Sequence, residues 1–104
     1  MKIYISLDME GVAGTFDWKQ EKADRAMVRK CMTAQLDWVL QGIHESAVNE
    51  QLEEILIADS HSGGDSIAYD FTDLDERIQL ISGGPRANYM MAGLDGTYDI
   101  AFLV

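Results

Sequence analysis

Ile55-Leu56-Ile57-Ala58, running into Asp59-Ser60-His61-Ser62-Gly63-Gly64, is the stretch that decides the fold. A short apolar run with no polar alternation, closed by a glycine turn, reads as a strand buried on both faces. That type belongs to parallel sheets. Parallel neighbours need a long crossover, usually a helix, and the residues upstream supply one. From about Glu21 to Asn49, Val28, Met32, Leu36 or Gln35, Val39, Ile43 and Ala47 recur every three or four positions, with Cys31 and Leu40 beside them. This is the stripe of an amphipathic helix packed on a sheet. Trp38 and His44 lie off the stripe, so His44 reads as a surface or boundary residue. Before the helix, Lys2 to Leu7 reads as the first strand, followed by the turn Glu10-Gly11-Val12-Ala13-Gly14-Thr15.

Downstream, Ile78-Gln79-Leu80-Ile81 reads as a third strand ending in Ser82-Gly83-Gly84-Pro85. A short helix is expected over about Arg86 to Ala92, with Tyr89, Met90 and Met91 packing into the core. Asp99 to Val104 reads as a fourth strand. The order β-α-β-x-β-α-β predicts an α/β fold: a mainly parallel sheet with flanking helices, in one unit over residues 1–104. The fourth strand reaches the C-terminus with no cover helix behind it. The expectation is an incomplete domain, the N-terminal portion of a larger catalytic domain whose remaining polypeptide would be its partner.

Composition limits the function. The 104 residues are 47% hydrophobic and 25% charged, as in ordinary globular domains. No apolar run approaches the roughly 18 residues of a membrane span. Neither the apolar run nor the small-residue cleavage site of a secretory signal is present. Cytoplasmic residence is therefore expected. Eight Lys and Arg against 18 Asp and Glu give a net charge of −10, which repels phosphate backbones and anionic membrane surfaces. Neither nucleic acid nor membrane is expected as a partner. The single cysteine, Cys31, excludes an internal disulfide and an all-cysteine metal site.

The polar residues cluster at strand ends: Asp8 and Glu10 after the first, Asp59, Ser60 and His61 after the second, Ser82, Gly83 and Gly84 after the third. Parallel strands bring these loops to one sheet edge, where ligands bind in this architecture. In an extended Asp8-Met9-Glu10 the two carboxylates point to one side and Met9 to the core. Like charges so close need a cation or a shared proton. With the His61 imidazole they suit Zn²⁺, and also Mn²⁺ or Co²⁺. Asp59 is placed to orient the loop or to accept an outer hydrogen bond. The Gly63-Gly64 and Gly83-Gly84 pairs read as tight turns that admit backbone to the site. A plain divalent-cation-binding domain without turnover fits the same residues.

Two families share parts of this pattern. Leu7-Asp8-Met9-Glu10-Gly11 resembles the Asp-x-Asp-Gly strand end of haloacid-dehalogenase-like, Mg-dependent phosphohydrolases, and Ile81-Ser82 resembles their second, Ser-bearing strand end. Glu10 departs from that pattern by one methylene, and Asp59-Ser60-His61-Ser62 has no place in it. The whole chain is more similar to the N-terminal part of the zinc D-aminopeptidases, the DppA-like peptidase family. The likeness lies in Ser6-Leu7-Asp8-Met9-Glu10-Gly11-Val12-Ala13-Gly14, Asp59-Ser60-His61-Ser62, Leu80-Ile81-Ser82-Gly83 and Met91-Ala92-Gly93-Leu94-Asp95.

That resemblance implies a two-zinc aminopeptidase releasing N-terminal D-amino acids from short peptides. Asp8, Glu10 and His61 would be metal ligands, with Asp8 bridging two ions. The family's remaining ligands, a His and a Glu, and its catalytic His would lie beyond Val104. No catalytic residue is expected within these 104, which alone would be inactive. A homo-oligomer is implied for the full-length protein.

Overall fold

The computed structural model describes residues 1–104. Four strands form one parallel sheet: β1 (Lys2–Leu7), β2 (Glu54–Asp59), β3 (Ile78–Ile81) and β4 (Ile100–Leu103), in spatial order β3-β2-β1-β4. Leu7 pairs with Asp59 and Ser6 with Leu103. The ends of β1, β2 and β4 are thereby level, and the residues after them start from one edge.

Side-chain alternation sorts the sheet into two faces. Ile3, Ile5, Leu7, Ile55 and Ile57 join the larger core, with Val28, Met32, Leu36, Leu40 and Ile43 of the long helix. Tyr4, Leu56 and Ala58 face the other way, against Ile81, Leu94 and Tyr98. The second face is thus covered by irregular chain rather than by a helix. Leu36 and Leu40, rather than Gln35 and Val39, complete the buried stripe, and Trp38 is exposed as its position predicts.

The helix expected over Glu21–Asn49 is broken. Helix α1 is Lys19–Ala23 and α2 is Arg25–Glu45, with a 3-10 turn at Ala47–Gln51. Asp24 makes the break. Its N–H closes α1 on the Gln20 carbonyl, while its carboxylate accepts from Met27 N at 3.0 Å and starts α2. Asp favours this capping role because its short side chain reaches the unpaired N–H groups of a first turn.

The helix expected over Arg86–Ala92 is only a 3-10 turn, Tyr89–Met91, and those three side chains are exposed rather than packed in the core. Hydroxyls decide this. Tyr4, Ser6 and Ser60 all donate to the Met90 carbonyl, and Tyr4 also to that of Ala92. The backbone is docked on the sheet, so the side chains turn outward. No helix is long and apolar enough to cross a membrane.

Candidate metal centre

The chain runs β1, β2, β3 outward in one direction, then returns to place β4 on the opposite side of β1. Ligands of open α/β sheets bind where such a reversal parts the loops at the carboxyl ends of the strands. Asp8 stands there. Its N–H donates to the Val104 carbonyl at 2.7 Å. A cleft of about 460 Å³ opens beside it, lined by Ser6, Asp8, Gly11, Met90, Met91, Leu103 and Val104. A Cβ at Gly11 would strike the Val104 backbone, so glycine is what allows the two segments to meet.

Asp8-Met9-Glu10 is not extended. Met9–Gly11 forms a 3-10 turn capped by Asp8, whose carboxylate accepts from Met9 N at 2.8 Å. Met9 is fully buried, as expected, and Thr15 donates to its carbonyl. The turn still carries both carboxylates to one place. His61 Nδ1 lies 3.0 Å from Asp8 Oδ1 and 3.5 Å from Glu10 Oε2. One donor atom from each of Asp8, Glu10 and His61 falls within 4.8 Å of the other two, the one such cluster in the chain.

The loop carrying His61 is built on Asp59. This carboxylate is inaccessible to solvent, and its Oδ2 accepts from Ser66 N at 2.6 Å and Ile67 N at 2.7 Å. Burial pushes the Asp59 carboxyl up from the ordinary range, and the backbone bonds and Arg86 only partly offset that. Asp59 therefore orients the loop and lies outside the donor cluster. Gly64, at φ +68°, turns the loop so that its carbonyl receives Gly83 N at 2.7 Å and Ser82 Oγ at 2.7 Å. The loops after β2 and β3 meet as predicted, but Ser82, Gly83 and Gly84 brace the site without entering it.

One residue at the centre was not foreseen. Glu21 of α1 places Oε2 3.0 Å from His61 Nε2. Nothing in the sequence marks it, because only the packing of α1 against the sheet brings it there. Burial of His61 favours the neutral ring, but the bonds to Glu21 and Asp8 and their charges win and raise its pKa above the usual histidine value. Three carboxylates around one imidazole leave a surplus of negative charge, the condition that invites a cation. Two carboxylate oxygens and one imidazole nitrogen are a donor set that suits zinc.

The sequence profile of the D-aminopeptidase family matches residues 1–104, the whole chain. This chain belongs to the D-aminopeptidase family. Membership decides against the dehalogenase-type reading, in agreement with Glu10 sharing the cluster with His61. The D-aminopeptidase of Bacillus subtilis (strain 168) is 32% identical over 101 residues, which are 94% of this chain and 35% of that protein. The solved structure of the Zn-dependent D-aminopeptidase DppA from Bacillus subtilis, described as a self-compartmentalizing protease, matches with a TM-score of 0.81 at 29% identity. It covers 100% of this chain and 37% of its own. The chain thus spans little more than a third of the length of the D-aminopeptidases it matches.

Proposed function

We propose that this chain is the N-terminal portion of a zinc-dependent aminopeptidase that hydrolyses short peptides bearing an N-terminal D-amino acid, and that Asp8, Glu10 and His61 are its metal ligands. The observation that carries this reading is the convergence of the three donors at the sheet's reversal point, in a chain of the D-aminopeptidase family. Zinc, when bound, supplies a Lewis acid for the scissile carbonyl and lowers the pKa of a water. Asp8 and Glu10 balance the ion's charge, and His61 adds the neutral nitrogen. Met90, Met91 and Leu103 offer an apolar wall beside Asp8 for a substrate side chain. The excess of carboxylates favours the free ammonium end of a peptide.

The three donors fit one ion; a second ion and the catalytic histidine would draw on the rest of the polypeptide. The share of the relatives' length that the chain covers supports that division. A homo-oligomeric full-length protein is part of the proposal, supported by the self-compartmentalizing description of the solved relative.

The test is metal content and affinity of protein purified without chelator, beside Asp8→Asn and His61→Ala. Both substitutions should remove most of the zinc. Unchanged zinc in both would refute the ligand assignment. For the full-length protein, peptides beginning with D-alanine and with L-alanine are compared with p-nitrophenyl phosphate. Cleavage of the D-peptides alone is expected; phosphatase turnover without peptidase turnover would overturn the activity.

A further inference from the structure

His61 is held from both sides, and the two sides differ. Its Nδ1 faces Asp8 and Glu10, while its Nε2 faces Glu21 Oε2 at 3.0 Å. A neutral imidazole carries one ring proton, and an ionised carboxylate only accepts. A metal ion taken up beside Asp8 and Glu10 needs the Nδ1 lone pair, so the single ring proton then lies on Nε2, where Glu21 accepts it. Asp8, acting alone on the ring, would favour the opposite tautomer, with the proton on Nδ1 and no lone pair for a metal.

We propose that Glu21 is a positioning residue for the metal centre, holding the Nε2–H tautomer and the ring angle of His61 so that Nδ1 is presented as a ligand beside Asp8 and Glu10. This rests on the reading of those three residues as metal ligands.

The way α1 is fixed supports it. Gln20 Oε1 accepts from Phe16 N at 2.7 Å and Asp17 N at 2.9 Å, and its amide donates to the Gly14 carbonyl at 3.2 Å. At the other end Asp24 joins α1 to the start of α2. The five-residue helix is tied down on both sides of Glu21, whose side chain is mostly buried. A carboxylate delivered by a fixed element restricts a ring that is itself only 9% exposed. Outer carboxylates of this kind orient a ligating imidazole and increase its basicity, and their loss typically costs about 10- to 100-fold in metal affinity.

The experiment uses zinc itself as probe, by competition with a chelator, on the protein and on Glu21→Ala, Glu21→Gln and Asp8→Asn, with far-UV circular dichroism to confirm folding. Nitrogen-15 spectra of metal-free protein, followed with rising pH until the ring has lost its second proton, read the His61 tautomer. Glu21→Ala should weaken zinc binding about 10- to 100-fold and shift the ring proton from Nε2 to Nδ1. Glu21→Gln, whose side-chain oxygen still accepts from Nε2–H, should restore the tautomer and most of the affinity. Unchanged affinity or tautomer in Glu21→Ala, with Asp8→Asn still losing zinc, overturns the role of Glu21 alone. So does an affinity loss that Glu21→Gln fails to rescue. Zinc binding that is absent, or insensitive to Asp8→Asn, overturns the ligand reading beneath it.

Discussion

Asp59 shows how one buried carboxylate supports a neighbouring functional group. Its Oδ2 satisfies two backbone N–H groups of the loop that returns from His61, and its Oδ1 is buried with no partner. Replacing it with alanine leaves both N–H groups without an acceptor. Each such loss costs about 1–3 kcal/mol, so Asp59→Ala should lower stability by about 2–6 kcal/mol in urea unfolding and also weaken zinc binding through the loosened loop. A stability change below about 1 kcal/mol would show that the loop holds without it. Asp75 works differently. It accepts from the Arg77 guanidinium at 2.6 Å and lies 3.0 Å from His44 Nε2, and the Arg77 bonds hold its carboxyl far below the usual range. A depressed folded-state pKa means stability that is present above the unfolded value of about 3.9 and lost as pH falls further. Thermal melts between about pH 5 and pH 2 should show that loss, and Asp75→Asn should flatten it; identical acid limbs in the two proteins would contradict this.

Helix α2 contributes most of the apolar cover. Met32 and Leu36 are inaccessible to solvent in the larger core. Met32→Ala should destabilise by about 2–5 kcal/mol, the range for a buried long side chain cut to alanine. The helix break is a separate device. Asp24→Ala removes the α2 cap at a cost of about 1 kcal/mol and releases the end of α1 that bears Glu21. The substitution should therefore reduce zinc affinity by more than its small effect on the melting temperature would suggest. A loss of stability with zinc binding intact would mean that α1 is held by Gln20 alone.

Over the whole molecule, the sheet has an apolar border. β4 pairs only with β1, and Phe102 and Leu103 are exposed there, with Trp38 of α2 lining the same apolar cleft as Ile100 and Phe102. Unpaired strand edges with apolar side chains promote association. Light scattering of the 104-residue chain should show concentration-dependent association, and Leu103→Lys should reduce it. Scattering of a monomer at all concentrations would remove the prediction. With three metal donors and no catalytic histidine assigned to it, the same chain is expected to bind zinc without peptide turnover. Full peptidase activity from it would place catalysis within these residues.

Periodicity was enough to read the strands, the parallel sheet, the buried stripe of α2 and the convergence of Asp8, Glu10 and His61. Those properties depend on spacing along the chain, and apolar runs near Ile3 and Ile57 have few other ways to be buried. The sequence motifs around Asp8 and His61 also carried the family resemblance. The break at Asp24 was within reach of a capping argument, since Asp is a poor helix-interior residue. The outward Tyr89–Met91 segment was not, because hydrogen bonds from the distant Ser6 and Ser60 hydroxyls set it; the tight turn at Met9–Gly11 is closed locally, by the Asp8 cap and the Thr15 hydroxyl. Glu21 was the least legible. Its distance to His61 is a relation between a helix and a loop 40 residues apart, which has no period and no local signal. Local patterning determines which face of each element is apolar, whereas the mutual placement of elements, and with it the third carboxylate on the His61 ring, emerges only when the core closes.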